Sequence, residues 1–133
     1  MRISLFAVGR LKAGPEKELA SRYVDRMAKA GRAVGLEFAH VVEVAESRAA
    51  NAETRKREEA SLLEKAMPEG SVLIILDERG KSMDSEAFAA LIGRFRDQGK
   101  QDCMLAIGGA DGHDPSTRDR ADAVVNFGSM TWP

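Results

Sequence analysis

The sequence predicts an α/β fold, a mostly parallel β-sheet with helices on both faces. Short apolar runs alternate along the chain with longer amphipathic segments, the pattern of βαβ units. Two of these runs, Ser71–Leu76 and Cys103–Ile107, are apolar without alternation, as expected of strands buried on both faces of a parallel sheet. No repeat, low-complexity tract or linker interrupts the pattern, so we expect one domain over residues 1–133.

The first half of the chain supplies two strands and two helices. Ile3–Val8 is the first predicted strand and Leu36–Val44 the second. Pro15–Ala30 is predicted to be helical, because proline suits a first turn and because Leu19, Tyr23 and Met27 recur every four residues.

The second predicted helix is capped by Asn51 and runs to about Met67. Its middle, Thr54–Glu59, is charged. The usual meaning of such a run is a solvated helix face, and an RNA-facing surface is the alternative.

The second half of the chain continues the alternation. After the Ser71–Leu76 strand, Asp84 can cap a helix whose apolar stripe runs from Phe88 to Phe95 and which ends at Gly99. The Cys103–Ile107 strand follows. A short helix over Pro115–Ala121 and a last strand over Ala123–Phe127 complete the predicted elements.

Composition narrows the class of protein. The chain is 44% hydrophobic and 31% charged, which is typical of a soluble globular protein. Its one cysteine, Cys103, lies in an apolar strand and is most simply a core residue, so neither an internal disulfide nor a multi-cysteine zinc site is expected. His40 and His113 lack ligand spacing, and we expect no metal.

Charge and hydropathy bear on location and partners. The net charge of −1 gives no global signature of a nucleic-acid-binding protein, so RNA binding would need a local patch, a dimer surface or a structured partner. No apolar run is long enough to cross a bilayer, and Met1–Gly9 lacks the features of a signal peptide. We therefore expect a cytoplasmic protein without a membrane segment.

Chemistry is expected where strands end, because ligands of open parallel sheets bind beyond the carboxyl ends of the strands. Three strand ends are distinctive: Leu76–Lys81, Ile107–Gly112 and Phe127–Trp132. Glycines let the backbone approach a ligand, although a tight turn explains Gly108–Gly112 equally well. No dinucleotide or P-loop glycine pattern is present, which disfavours a dinucleotide-dependent oxidoreductase. The residues alone predict a small-molecule site.

Individual side chains at these ends have two interpretations each. Asp77 and Glu78 could act as acid or base, but hydrogen bonding within the loop is favoured. His113 could be catalytic, but a solvent-facing loop histidine is favoured. Met130 and Trp132 could pack on a flat ligand ring or fill the core.

Four motifs in register resemble a known family. They are AVGRLK (Ala7–Lys12), LDERGKSMDSEAFA (Leu76–Ala89), IGGADG (Ile107–Gly112) and FGSMTWP (Phe127–Pro133). The chain is identified by them as a member of the RlmH-type ribosomal RNA methyltransferases of the SPOUT (α/β-knot) superfamily. The resemblance implies an α/β-knot fold, a homodimer and S-adenosylmethionine as methyl donor. It also implies methylation of N3 of a pseudouridine in 23S ribosomal RNA of the large subunit, on the assembled ribosome.

The resemblance also implies site residues. The donor would contact Leu76, lie against Gly108 and the neighbouring Gly109, and be wrapped by the last segment. That segment comprises Phe127, Gly128, Ser129, Met130, Thr131 and Trp132. No residue is a convincing catalytic base. Local candidates for RNA contact are Lys12, Arg22, Arg26, Arg55 and Arg57.

The sequence departs from the family at its end. Members normally continue after the proline with a histidine and an amphipathic helix that completes the knot, whereas this sequence stops at Pro133. We expect a missing tail or a shortened chain. Without that helix the donor pocket would lose a wall, so the alternative is an inactive nucleotide- or RNA-binding α/β module.

Overall fold

The computed structural model describes residues 1–128 and residue 130. Five parallel strands form one sheet in the order β2-β1-β4-β3-β5. The strands are β1 (Arg2–Val8), β2 (Glu37–Val44), β3 (Val72–Ser82), β4 (Asp102–Ile107) and β5 (Ala123–Asn126). The helices are α1 (Pro15–Gly31), α2 (Ala52–Ala66), α3 (Ser85–Asp97) and α4 (Pro115–Arg120), with a 3-10 turn at Arg32–Val34. The predicted α/β class and parallel sheet are confirmed.

Helix starts follow their capping residues. The Asn51 side chain accepts a hydrogen bond from the Thr54 backbone N–H at 2.8 Å, and Asp84 accepts one from Ala87 at 2.8 Å. Each cap satisfies one of the backbone donors that a helix start leaves unpaired. Both predicted N-caps are therefore confirmed.

The core has one layer on each face of the sheet. Ile3, Ile74 and Cys103 point to the face covered by α3, where Leu91 and Ile92 pack on them. The opposite layer is covered by α2 and centres on buried side chains from β1, β3, β4 and α2: Phe6, Leu63, Leu73, Ile75, Met104 and Ala106. Helices on both faces are confirmed, and both faces of β3 are apolar because both are covered.

Helix α1 buries less of its predicted stripe than its periodicity suggests. Met27 packs against the core, whereas Leu19 and Tyr23 are exposed. The regular spacing predicted the helix correctly but did not predict how much of its apolar face is covered.

Strand β3 is longer than predicted and crosses β5. Leu76 and Lys81 both align with Val125, so the four residues between them pass over that strand. A Cβ on Gly80 would lie 2.6 Å from the Val125 backbone, and the Asn126 side-chain amide donates to the Gly80 carbonyl at 2.7 Å. Residues 77–82, which follow the predicted strand Ser71–Leu76, thus cross β5, and the close approach at Gly80 leaves no room for a side chain.

In the part of the chain that the structure describes, no helix combines the length and apolar character that spanning a membrane requires.

The Cys103 thiol should react with a disulfide reagent only when the sheet opens. Cys103 is 2% exposed, and burial raises its pKa to about 12, so the reactive thiolate is both hidden and rare. We expect labelling to be limited by unfolding and to accelerate in urea. A cysteine introduced by Ser61→Cys, on the exposed side of α2, is the control and should label at once. Equally fast labelling of native Cys103 would contradict the core position.

Candidate functional site

The ends of β4 and β5 lie beside Leu76, the residue at which the regular pairing of β3 with β4 stops. Strands β4, β3 and β5 are neighbours, and Leu76 aligns with Ile107 on one side and Val125 on the other. Gly108 follows Ile107 directly, and Phe127 comes two residues after Val125. Because adjacent strands lie about 4.8 Å apart, the backbone at these exits forms one continuous surface. The described residues of the three segments singled out in the sequence are therefore brought together, and their role in binding stays a prediction.

The segment Gly108–Gly112, here called the glycine loop, combines a turn with close packing. Gly112 has a φ of +78° and donates its N–H to the Gly109 carbonyl at 2.9 Å, which closes the turn. A Cβ on Gly108 would lie 3.2 Å from the Gly112 backbone, and one on Gly109 would lie 3.0 Å from Glu59 Oε2. The tight turn is therefore confirmed, Gly108 and Gly109 pack too closely for a side chain, and the approach of a ligand to these glycines stays a prediction.

Apolar side chains are exposed beside this surface. Phe127 is 61% exposed and Met130 74% exposed, and Ile107 is exposed as well. The Phe127 ring contacts Phe88 edge to face, with ring centroids 6.4 Å apart. The interpretation of Met130 as a core residue is wrong, and its contact with a ligand ring stays a prediction. Ser129, Thr131 and Trp132 lie outside the described residues.

Asp77 hydrogen-bonds within the loops, as favoured from the sequence. Its Oδ1 accepts from the Arg79 backbone N–H at 2.9 Å, and its Oδ2 accepts from Arg118 Nη1 at 3.3 Å. Arg118 Nη1 also donates to the His113 carbonyl at 2.9 Å. Asp77 therefore ties the middle of β3 to the segment that follows the glycine loop, whereas Glu78 is exposed.

His113 is not the solvent-facing loop histidine favoured from the sequence. It is 7% exposed, and its ring lies under Gly108, where a Cβ would come within 3.3 Å of two ring carbons. Burial lowers its pKa, against a smaller opposite effect of Asp77 and of the Leu76 and Ala106 carbonyls, which favours a neutral imidazole. The expectation failed because burial of a polar loop depends on what packs over it.

Sequence reasoning missed Glu59. This residue sits in the charged run predicted to be a solvated face, yet it is 6% exposed and lies against Gly109. The one available signal was its position four residues before the buried Leu63, on the same face of α2. That face covers the sheet, so part of the charged run points inward.

The candidate RNA contacts divide into two groups. Arg55 makes a bidentate ion pair with Asp111 of the glycine loop, at 2.6 and 3.0 Å, and donates to the Ala49 carbonyl at 3.0 Å. Arg57 pairs with Glu53 on the helix surface. Lys12, Arg22 and Arg26 are exposed, and the Arg26 guanidinium lies 5.3 Å from the centroid of the Tyr23 ring. Arg55 thus has a structural partner within the fold.

Removing the Arg55–Asp111 pair should loosen the glycine loop. We expect Arg55→Ala and Asp111→Ala each to weaken methyl-donor binding about three- to fivefold, the range of a partly exposed ion pair. The double variant should lose no more donor affinity than either single variant, because the two residues act through one contact. Arg55 lowers the pKa of Asp111, so this contribution should be present above pH 3.8 and be lost as the pH falls further.

The measurement is calorimetric titration with the methyl donor, and Lys65→Ala, an exposed cation in the last turn of α2, is the control. Additive losses in the double variant would show that the two residues act independently.

Comparison with known proteins identifies the family of this chain. The family model described as "Predicted SPOUT methyltransferase" matches residues 1–133. A protein of Rhizobium meliloti named ribosomal RNA large subunit methyltransferase H is 74% identical over 133 residues, covering all of this chain and 83% of the relative. Proteins with the same name from Rhizobium rhizogenes and Rhizobium leguminosarum bv. trifolii are 72% and 71% identical over the same extent. A whole-length family match and identities this high establish that the chain belongs to the SPOUT methyltransferase family.

Proposed function

We propose that this chain transfers the methyl group of S-adenosylmethionine to N3 of a pseudouridine in the large-subunit ribosomal RNA. The observation that carries the proposal is the single backbone surface formed by Leu76, Gly108 and Phe127–Gly128 at the ends of three adjacent strands. The names of relatives more than 70% identical over the whole chain support ribosomal RNA as the substrate.

The site has the properties that a nucleoside-bearing donor requires. Gly108 has no side chain, so a flat ligand can approach its main chain, whereas a Cβ there would be forced against Gly112 and His113. The exposed Phe127 and Met130 side chains offer apolar contact to a ring. We assign donor contacts to Leu76, Gly108 and Gly109, and to the final segment: Phe127, Gly128, Ser129, Met130, Thr131 and Trp132.

Positioning is the main task of the protein in this reaction. The donor, when bound, supplies an activated methyl group on a sulfonium, so neither a metal nor a covalent nucleophile is needed. The strand exits hold the donor in one orientation, and the glycine loop limits its movement, which converts an encounter of two molecules into a step of fixed geometry. We assign no side chain to removal of the N3 proton.

We further propose that the substrate is the assembled ribosome and that the chain acts as a cytoplasmic homodimer. A net charge of −1 gives no strong general attraction to RNA, so a structured partner and a two-subunit surface suit it better than free RNA. The exposed apolar side chains Ile107, Phe127 and Met130 are candidates for coverage by a second subunit. The candidate RNA contacts whose side chains lie at the surface are Lys12, Arg22, Arg26 and Arg57.

The test is methyl transfer from radiolabelled S-adenosylmethionine. Ribosomes from a strain that lacks this modification should accept about one methyl group each, and ribosomes already modified should accept none. Label recovered at N3 of one pseudouridine of the large-subunit RNA supports the proposal. Donor binding without transfer would favour the alternative of a binding module, and transfer to another RNA would refute the proposed substrate.

A further inference from the structure

Two buried polar atoms without hydrogen-bond partners lie beneath the glycine loop. Among the described residues, Glu59 Oε2 and His113 Nε2 are the buried side-chain atoms that lack one. Burying such groups without a partner costs free energy, so an unmatched pair at one place needs an explanation. Neither residue has a role in the donor contacts assigned above.

Both residues line the same cavity. Its volume is about 10 Å³, and its walls include Glu59, Gly108, Gly112 and His113. A water molecule needs about 10–15 Å³ of this kind of volume and two or more polar partners. The cavity therefore has the size and the polar lining of a site for one water.

The chemistry of the pair calls for a donor between them. A carboxylate oxygen accepts hydrogen bonds, and a neutral imidazole accepts at one nitrogen. We place the ring proton of His113 on Nδ1, so that Nε2 is an acceptor. Two acceptors cannot bond each other directly, whereas a water molecule donates two hydrogens and can satisfy both. The lowered pKa of His113 agrees with a neutral ring in this place.

Glu59 also connects the glycine loop to a second loop. Its Oε1 accepts from the Ser47 backbone N–H at 3.1 Å, in the connection between β2 and α2. Arg55, one helical turn earlier, likewise joins that connection to the glycine loop through Ala49 and Asp111. Helix α2 thus contacts both loops at two successive turns, and Glu59 makes the more buried of these contacts.

We propose that Glu59 is a positioning residue of the methyl-transfer site, acting through one buried water and His113 to hold the glycine loop in the shape that receives the donor. The inference deepens the proposed function, since it rests on Gly108 and Gly109 contacting the donor. The link to the loop itself does not depend on the donor and can be tested without it.

The first experiment measures amide hydrogen exchange in the donor-free chain. Glu59→Leu keeps the bulk and removes the acceptors, so exchange at residues 109–112 and at Ser47 should become about tenfold faster, the factor expected when about one hydrogen bond to a charged group is lost. Amides of β1 and β4 should be unchanged. Glu59→Gln, which retains an acceptor oxygen, should restore slow exchange. Glu64→Leu, an exposed site on the same helix, is the matched control.

The second experiment separates positioning from general stability. Glu59→Leu should raise the KM for S-adenosylmethionine about tenfold and leave kcat at saturating donor within about twofold, because the loop is ordered again once the donor is bound. His113→Leu should reproduce the effect, His113→Gln should relieve it, and the double leucine variant should be no worse than either single.

The outcomes are distinguishable. Unchanged loop exchange in Glu59→Leu, or additive effects of the two leucine substitutions, would overturn the positioning role. If Glu59→Leu does not fold, the variants His113→Leu and His113→Gln test the same prediction. Faster loop exchange together with an unchanged donor KM would also refute it as a role in methyl transfer. Absence of donor binding by the unmodified protein would instead refute the proposed function. Hydrogen exchange would then still decide whether Glu59 holds the glycine loop.

Discussion

Gly80→Ala is expected to disrupt the crossing of β3 over β5 and to abolish donor binding. A Cβ at this position would lie 2.6 Å from the N and C atoms of Val125, closer than such contacts occur, and both sides of the clash are backbone. Relief requires β5 to move away, which breaks the hydrogen bonds from the Asn126 amide to the carbonyls of Glu78 and Gly80. Because β5 leads directly to Phe127 and Gly128, the donor surface moves with it.

The expected cost of Gly80→Ala is about 3 kcal/mol in the free energy of unfolding, the upper part of the range for overpacking a tight contact. The melting temperature should fall by about 10 °C for a domain of this size. Thermal and urea unfolding give the stability, and calorimetry gives the affinity for the donor.

Gly93→Ala is the matched control for this substitution. Gly93 lies inside α3, and the nearest atom to its Cβ would be the end of the Arg96 side chain at 3.8 Å, an ordinary contact. Alanine is favoured over glycine in a helix interior by about 1 kcal/mol, so this variant should be slightly more stable and should bind the donor normally. If Gly80→Ala behaved like Gly93→Ala, the crossing would not have the close approach described here.

Gly108→Ala is expected to weaken donor binding strongly while leaving the fold intact. A Cβ would meet the Gly112 backbone at 3.2 Å and the His113 ring at 3.3 Å, so the glycine loop must shift by a few tenths of an ångström. This shift would move the Gly108 backbone, which we propose contacts the donor, away from its binding position. We expect at least a tenfold rise in Kd, with a stability loss of about 1 kcal/mol.

The measurement for Gly108→Ala is calorimetric titration with S-adenosylmethionine and with its demethylated product. Both ligands should be weakened equally, because the backbone contact does not depend on the methyl group. Normal affinity for either ligand in a folded Gly108→Ala variant would place the donor elsewhere.

Much of the fold could be predicted from local sequence, and particular elements show why. The apolar run after Ser71 predicts a buried parallel strand because only a strand covered on both faces has no polar side. Asn51 and Asp84 start their helices by a contact three residues away, which the local sequence contains in full. The glycines at the strand ends marked the candidate site because their positions, too, can be read from the local sequence.

What the sequence did not predict depends on contacts between distant residues. Residues 77–82 are polar and look like a loop, but they pass over β5, which lies more than forty positions later in the chain. His113 and Glu59 are both polar, and both are buried because the glycine loop packs against α2. Arg55 appeared available for RNA until Asp111, 56 positions away, was found beside it.

The sequence by itself determined the alternation of strands and helices, the membership of the SPOUT family and the three segments that surround the candidate site. Tertiary structure alone decided which of their polar side chains are buried and which backbones touch. The physical reason is that periodicity and capping act over a few residues, whereas burial and close backbone approach are set by whichever distant segment packs on top.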